Sequence, residues 1–235
     1  MRYSICSVPV DAATKKEALE RCRGFLRDGA QHYVVTINPE IAVEAENNIA
    51  FYDVLRRSDL ALADGAGIAL AARWLESVSL ERITGVDFMQ DLCALAQDEG
   101  AKVFFLGGRK GVAAKTAEAM QKRFPRLRIA GWSDEPAGDL AIRHVDVLFI
   151  AFGAPKQELW IAENLPKLPE IKIAMGVGGA FDMISENKKR APHIMRKLAL
   201  EWLWRLIREP SRIRRMFRAL IVFPLLAIRY RRAAR

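Results

Sequence analysis

The chain has 235 residues, 51% hydrophobic and 28% charged, with three cysteines at no metal-ligand spacing. This composition is typical of a globular protein with a sizeable core, and it excludes a disulfide framework and a cysteine zinc site. The net charge of +9 is uneven: from Lys188 onward 15 Lys and Arg face two acids, whereas the first 187 residues carry a net charge of −4. The basic end therefore predicts an anionic partner, a membrane surface or a nucleic acid.

No segment predicts a membrane span or a secretion signal. The beginning, MRYSICSVPVDAATKKEAL, lacks the apolar stretch of a signal peptide, so we expect the body of the protein to stay in the cytoplasm. The longest uncharged apolar run, ALIVFPLLAI at 219–228, has ten residues and contains a proline. A spanning helix needs about 20 apolar residues, so this run is too short to cross a bilayer.

Short apolar runs alternate with amphipathic segments along the first 187 residues. The predicted strands are 32–37, 60–63, 101–107, 127–131, 146–153 and 172–178, and the predicted helices include 14–27, 49–57, 87–99, 112–124 and 156–165. This alternation is typical of an α/β protein with a mostly parallel, Rossmann-like sheet covered by helices. We predict an α/β catalytic body at 1–187 and a basic helical appendage at 188–235.

Ligands of such sheets bind beyond the carboxyl ends of the strands, and the first strong strand ends in TINPE. Thr36 and Asn38 are two residues apart, so their side chains share one face of the strand. Asn38 is also a good helix N-cap, with Pro39 suited to the first helical position. Binding and capping are both open to Asn38, and one does not exclude the other.

The next strand ends in LALADGAG, which puts Asp64 before two glycines. A carboxylate there can be a helix cap, a turn residue or a general base. A dinucleotide-binding loop is the obvious rival. Its fingerprint needs glycines at i, i+2 and i+5, and after Gly65 and Gly67 the third position is Leu70.

Three later strands also end in glycine turns. FFLGGRKG is suited to binding a phosphate at a helix N-terminus, although it matches no nucleotide-specific pattern. AFGAPKQE presents Lys156 and Gln157 in a first helical turn; a lysine is unfavourable there unless an anion lies nearby or the turn is simply solvated. GVGGAFD is explained about equally well as a plain turn. The glycines that we consider for substrate binding are Gly107, Gly108, Gly178 and Gly179.

The ordered set of segments resembles the WecG/TagA/CpsF family of bacterial glycosyltransferases. The segments are TINPE, ADGAGI, RITGVDF, FLGG, AFGAPKQE, GVGGAFD, RAP and EWLWRL, and the resemblance runs from Val35 to Arg215. It implies transfer of a sugar, in several members N-acetylmannosamine or its uronic acid, from a UDP-sugar to a polyprenyl-diphosphate-linked N-acetylglucosamine. It also implies inversion of the anomeric centre, at the cytoplasmic face of the membrane, in the synthesis of cell-surface polysaccharides.

The resemblance assigns roles to strand-end residues. Asp64 matches the proposed general base, and Thr36, Asn38, Arg82 and Gln157 match residues that line the same pocket. Inverting transfer needs one base to take the proton from the acceptor hydroxyl, which a single carboxylate can do. Asp87 and Asp182 are the next candidates if Asp64 is only a turn residue.

The leaving UDP develops negative charge that must be stabilised. The sequence contains no Asp-x-Asp motif, so we expect no metal and no other cofactor, with helix N-termini and Arg82 in its place. Arg205, Arg212 and Arg215 share a helix face by their spacing, and matching family positions are proposed to reach the active site. We expect these three arginines to bind the diphosphate.

The end of the chain predicts a basic amphipathic helix. Within 212–224, the apolar residues Ile213, Met216, Phe217 and Leu220 recur at helical spacing, and the basic residues Arg214, Arg215 and Arg218 lie opposite. We expect segment 205–232 to bind an anionic membrane surface and to close the site over substrate. Alternatively, the apolar face packs on the body or on a second subunit in a homo-oligomer.

Two other functions remain as rivals at this point. A nucleic-acid-binding protein would also carry a basic helix, but apolar side chains interleave the arginines here and no known nucleic-acid motif is present, so we expect no nucleic-acid partner. A nucleotide-dependent oxidoreductase is disfavoured by the incomplete glycine fingerprint.

Overall fold

The structure is a computed structural model that describes residues 1–135, 142–185, 191–192, 195, 201–210 and 213–233, without the side chains of Glu201 and Arg205. The strands are β1 (Arg2–Ile5), β2 (Val8–Asp11), β3 (His32–Ile37), β4 (Leu60–Ala63), β5 (Lys102–Gly107), β6 (Arg128–Ser133), β7 (Val147–Ala151) and β8 (Ile173–Gly176). The helices of the body are α1 (Lys15–Arg27), α2 (Pro39–Asn47), α3 (Ile49–Arg56), α4 (Ala66–Glu76), α5 (Gly85–Glu99), α6 (Val112–Arg123), α7 (Lys156–Asn164) and α8 (Ala180–Ile184).

Six strands form one parallel sheet in the order β4-β3-β8-β7-β5-β6. The predicted α/β class and mostly parallel sheet are confirmed, and each predicted strand agrees with an observed one to within two residues at either end. The sequence reading missed the hairpin β1–β2, because its turn residues Cys6 and Ser7 adopt left-handed φ angles of 48° and 66° without the usual glycine or asparagine signal.

Polar side chains begin several of the helices by accepting backbone hydrogen bonds, as N-caps do. Thr14 and Glu17 form a capping box at the start of α1. Asn38 starts α2, Asn48 starts α3 and Thr84 starts α5. The starts of α2 and α5 therefore lie at fixed positions beside the ends of the central strands.

Helices cover both faces of the sheet. One buried cluster packs α2, α3, α4 and α7 on the first face, and the other packs α1, α5, α6 and α8 on the second. The neighbouring strands β3 and β8 thus send their following helices, α2 and α8, to opposite faces. Such a divergence opens a crevice at the carboxyl edge of a parallel sheet, where ligands bind.

The hairpin closes the β4 edge of the sheet. Asp11 accepts hydrogen bonds from the Arg2 guanidinium at 3.1 and 2.7 Å and from the backbone N–H of Ala61 on β4 at 2.8 Å. Protecting a sheet edge in this way prevents pairing with other chains.

The C-terminal helices are α9 (Glu201–Arg208), α10 (Ile213–Phe217), a π-helical turn (Arg218–Val222) and α11 (Phe223–Ala233). We call residues 213–233 the terminal segment. One side of it packs on α2 and α4 through Met216, Phe223, Leu226 and Ala227, all buried. The boundary predicted at 187/188 lies outside the described residues. Among the described helices, none is long and apolar enough to cross a membrane.

The apolar stripe predicted for the terminal segment divides into two. Met216 points to the body, whereas Ile213 and Phe217 are 60% and 58% exposed and lie in an outer row. The other members of this row are Leu220, Ile221, Leu225 and Ile228. The predicted packing on the body is therefore seen for the inner side, and a second apolar side faces outward.

Candidate active site

A cavity of about 680 Å³ lies between the carboxyl ends of β3 and β4 and the terminal segment. The strand-end side is polar and carries Asn38, Glu40, Asp64, Arg82 and Thr84. The opposite side, between α4 and the terminal segment, is apolar and carries Leu70, Ala71, Trp74, Met216, Leu220, Phe223, Pro224, Ala227 and Ile228. The cavity therefore offers two chemically different ends, and exposed Leu70, Trp74 and Leu220 show that the apolar end reaches the protein surface.

Asp64 occupies the polar end of the cavity. Its backbone N–H donates to Ile37 of β3 at 2.8 Å, which continues the strand ladder by one residue and fixes the position of Asp64. The side-chain Oδ2 lies 3.5 Å from the backbone nitrogen of Gly85, at the start of α5. A carboxylate that is half-buried at a strand end and opens into a cavity has the position that a general base requires.

Thr36 and Asn38 flank Asp64 in different ways. Thr36 is buried, and a Cβ added to Gly85 would lie 3.3 Å from its Oγ1, so Thr36 lies behind the Asp64–Gly85 contact. Asn38 accepts a hydrogen bond from the backbone N–H of Ile41 at 3.0 Å and also lines the cavity. Its cap role is thus observed, and its position leaves the binding role open as well.

The starts of α2 and α4 approach closely. A Cβ at Gly67 would lie 2.7 Å from Cγ of Pro39. Glycine at position 67 therefore allows α4 to pack against the first turn of α2, which brings the strand-end groups of β3 and β4 to one cavity wall.

Gln157 lies beyond β7 and β8, outside the lining of this cavity. Its Oε1 accepts hydrogen bonds from the backbone N–H groups of Gly153 and Gly178, both at 3.0 Å. Its Nε2 donates to Oε1 of Glu158 at 2.7 Å. The backbone N–H of Gly178, a residue considered for substrate binding from the sequence, is therefore bonded within the protein. Lys156 is exposed at the start of α7, and Gly179 begins α8.

Glu158 is fully buried, and its second oxygen, Oε2, has no hydrogen-bond partner among the described residues. Burial raises the pKa of this carboxyl to about 7, against the lowering effect of the bond from Gln157. The Tyr33 hydroxyl is also buried without a partner in the described structure, and its pKa is raised by burial and then by the nearby charge of Glu158.

Gly107 and Gly108 form a turn whose backbone conformation favours glycine. Their φ angles of 96° and 95° lie in the left-handed region, and a Cβ at Gly107 would lie 2.7 Å from the Phe152 ring. The start of α6 that follows is occupied by a carboxylate: Asp134 accepts from the backbone N–H groups of Gly111 and Ala113 at 2.6 and 3.1 Å. This helix end thus already holds an anionic group of the protein.

The predicted cations are distributed unevenly. Arg82 lines the cavity. Arg215 forms an ion pair with Glu40, itself a cavity residue. The side chain of Arg205, and Arg212 altogether, lie outside the described residues. The two alternative candidates for the general base, Asp87 and Asp182, each have a partner in the protein. Thr84 donates to Asp87 at 2.7 Å, and Arg109 pairs with Asp182 at 3.0 Å.

Sequence reasoning missed three groups that the structure brings to the sheet edge: Glu40, Glu158 and Asp134. Glu40 and Glu158 lie inside the motifs TINPE and AFGAPKQE, but neither was assigned a role from the sequence. Asp134 carries no local signal, because its partners lie more than 20 residues away along the chain. Within the described part of the chain, no group of three or more His, Cys, Asp or Glu residues is arranged to hold a metal ion.

Comparison with known proteins gives a consistent result. The sequence model of the glycosyl transferase WecG/TagA/CpsF family matches residues 3–235. A relative in Bacillus spizizenii is 37% identical over 199 residues, 82% of this chain and 77% of the relative. A relative in Staphylococcus aureus MRSA252 is 31% identical over 225 residues, 92% of this chain and 88% of the relative. Both carry the name N-acetylglucosaminyldiphosphoundecaprenol N-acetyl-beta-D-mannosaminyltransferase.

Proposed function

The chain belongs to the WecG/TagA/CpsF family of glycosyltransferases, and we propose that it transfers N-acetylmannosamine, its uronic acid or a related hexose from a UDP-sugar to polyprenyl-diphosphate-linked N-acetylglucosamine. The transfer inverts the anomeric centre, uses no metal and serves cell-surface polysaccharide synthesis. The names of the relatives support the acceptor and the mannosamine sugar, and the site of this chain supports the chemistry.

The observation that carries the proposal is the two-ended cavity. An acceptor of this class joins a polar sugar diphosphate to an apolar polyprenyl chain, and the cavity joins the polar residues around Asp64 to an apolar wall between α4 and the terminal segment. The sugar of the acceptor binds at the strand ends, and the first isoprene units lie along Trp74 and Phe223. Burial of apolar surface contributes about 25 cal/mol per Å² to binding of the lipid part.

The reaction is a single displacement. The acceptor hydroxyl oxygen attacks the anomeric carbon of the donor from the face opposite UDP, and its proton passes to the Asp64 carboxylate. The new glycosidic C–O bond forms while the bond from the anomeric carbon to the phosphate oxygen breaks, and the electron pair leaves with UDP. Arg82 stabilises the developing phosphate charge from the cavity wall, and Asn38 orients a sugar.

The donor nucleotide binds on the β8 side of the crevice. The divergence of α2 and α8 opens the sheet edge there, next to the Asp64 cavity. In this arrangement Lys156, exposed at the start of α7, lies at the same edge of the sheet as the diphosphate of the UDP-sugar. Three arginines near the C-terminus complete the site for the diphosphate when the C-terminal helices close over substrate. They are Arg205, Arg212 and Arg215.

We further propose that the enzyme works on the inner face of the cell membrane. The outer apolar row of the terminal segment, together with exposed Arg214 and Arg232, supports contact with anionic lipid. Each basic residue near such a surface contributes about 1 kcal/mol before screening. The apolar end of the cavity opens beside this row, so a lipid-linked acceptor can enter from the bilayer.

The test is release of UDP from a panel of UDP-sugars with a short-chain polyprenyl-diphosphate N-acetylglucosamine, in EDTA, for wild type and Asp64→Asn. We expect one sugar to turn over in EDTA and turnover to collapse in the variant. Asp98→Asn, an exposed carboxylate on α5, is the matched control and should keep wild-type activity. Activity that requires a metal, or an undiminished Asp64→Asn enzyme, would contradict the mechanism.

A further inference from the structure

A buried chain of hydrogen bonds connects Glu158 to two loops at the sheet edge. The chain runs from Oε1 of Glu158 to Nε2 of Gln157, and from Oε1 of Gln157 to the backbone N–H groups of Gly153 and Gly178. Gly153 follows β7 and Gly178 follows β8. One side-chain amide therefore ties together the loops after two neighbouring strands.

We infer that Glu158 is a positioning residue of the transfer reaction: it orients the Gln157 amide so that the loops after β7 and β8 are fixed in the geometry that the donor needs. This inference rests on the proposed function for its effect on the reaction, since it assigns the donor to that part of the crevice.

The orientation of Gln157 depends on Glu158. A side-chain amide has an acceptor end and a donor end, and two backbone N–H groups can be satisfied only by its oxygen. The nitrogen must then point to an acceptor, and the Oε1 of Glu158 provides one at 2.7 Å. Without an acceptor at residue 158, a buried N–H group would lack a partner, which favours rotation of the amide away from the loops.

Burial and close packing around Gln157 and Glu158 restrict the position of the Gln157 amide. Gln157 is 4% exposed and Glu158 is fully buried. A Cβ at Gly176 would lie 2.6 Å from Nε2 and 3.0 Å from Cδ of Gln157, so the amide can lie across the end of β8 only because residue 176 is glycine. A carboxyl is costly in an apolar core unless it is hydrogen-bonded, and the Gln157 amide supplies such a bond to Oε1 of Glu158.

The cost of burying Glu158 allows a positioning role to be separated from a structural one. Glu158→Met keeps the length of the side chain but offers no strong acceptor to Gln157. It also removes an ionisable group from the core, so it should fold at least as stably as wild type at pH 8. Glu158→Gln keeps an acceptor oxygen for Nε2 and is the conservative variant.

The experiment measures steady-state kinetics, stability and amide hydrogen exchange for both variants at pH 8. We expect Glu158→Met to raise the KM for the UDP-sugar by about tenfold, with less than a threefold change in the KM for the acceptor, and Glu158→Gln to restore the donor KM to within about threefold of wild type. Exchange in peptides that contain Gly153 and Gly178 should accelerate in Glu158→Met and return toward wild type in Glu158→Gln.

Ile161→Ala is the matched control, because Ile161 is a buried core residue on the same helix, α7, and has no polar side chain. It should lower stability without a selective change in the donor KM. A wild-type donor KM in Glu158→Met, or unchanged exchange at the two loops, would overturn the inference.

The exchange measurement separates this inference from the proposed function. If wild type turned over no UDP-sugar, the proposed function would fail. Unchanged exchange in Glu158→Met would still show that Glu158 does not hold Gln157, and faster exchange would show that it does.

Discussion

The two halves of the carboxyl edge of the sheet differ in how their polar groups are bonded. Beyond β3 and β4, Asn38, Asp64 and Arg82 line an open cavity. Beyond β7 and β8, Gln157 is buried and hydrogen-bonded to two loops and to Glu158. The first half therefore directs polar side chains into a cavity, whereas in the second half the Gln157 amide is bonded within the protein.

The largest expected effect lies in the first half. Asp64→Asn should lower kcat by about 10²- to 10⁴-fold, the usual contribution of a positioned base, because the amide cannot take the acceptor proton. Binding of UDP should stay within about twofold of wild type, since we propose that the donor binds on the β8 side, away from Asp64. Single-turnover kinetics and titration calorimetry measure the two quantities. A large loss of UDP affinity with normal single-turnover chemistry would assign Asp64 to donor binding instead.

In the second half, we expect Glu158 to make the free energy of unfolding depend on pH. The pKa of Glu158 is raised to about 7, so between about pH 4.5 and 7 the native protein keeps a proton that the unfolded chain releases. The free energy of unfolding therefore decreases as the pH rises through this window, by on the order of 3 kcal/mol, and is level above it. Glu158→Gln should flatten this slope.

Urea unfolding of wild type and Glu158→Gln from pH 4.5 to 8 measures the difference. Glu163→Gln, a change of an exposed carboxylate on the same helix, α7, should leave the wild-type slope in place. Parallel curves for wild type and Glu158→Gln would mean that Glu158 does not titrate in this range.

A smaller effect on stability and on the donor KM is expected from substitution of Gly176, which lies against the Gln157 amide. Gly176→Ala places a methyl group 2.6 Å from Nε2 of Gln157, so it should destabilise the protein by about 1 to 3 kcal/mol and raise the donor KM. Gly24→Ala in α1 meets no atom within 4 Å and should stabilise by about 0.5 to 1 kcal/mol. Equal stability changes in the two variants, measured by urea unfolding, would show that the close approach at Gly176 is unimportant.

The two halves also differ in how much of their structure could be predicted from the sequence. Apolar runs predicted the six sheet strands, and the predicted helix cap at Asn38 is observed, because both features depend on neighbouring residues. The bonding of Gln157 depends on Gly178, 21 residues away, and the closure of the α6 end depends on Asp134. Such contacts are set by the order of the strands in the sheet, which no local pattern encodes. The strand-end position of Asp64 left a cap, a turn residue and a general base all open, the family resemblance assigned the base role, and the structure adds the cavity around it.

The terminal segment extends the comparison, since its inner and outer sides are both apolar and, in the part of the chain that the structure describes, the inner side packs on the body while the outer row is exposed. Phe217→Ser with Leu225→Ser should reduce co-sedimentation with anionic vesicles by several fold, because both side chains are more than half exposed in the outer row. Ile49→Ser, a change of a still more exposed apolar residue on α3, is the control. If the double variant kept full vesicle binding but changed its sedimentation coefficient, the outer row would be a subunit interface.

The smallest effect is expected for the ion pairs between the terminal segment and α2. Arg218 pairs with Glu44 at 3.1 Å and Arg229 with Glu46 at 3.7 Å, and both arginine side chains are more than half exposed. A double-mutant cycle on Arg218→Gln and Glu44→Gln should give a coupling of about 0.2 to 1 kcal/mol at low salt and near zero in 0.5 M salt. Such a result would mean that buried Phe223 and Leu226 hold the segment on the body, and that the arginines could exchange their partners for anionic lipid, the contact that we propose, at little cost. A coupling well above 1 kcal/mol that resists salt would instead mean that the ion pairs fix the segment, and lipid would have to compete with them.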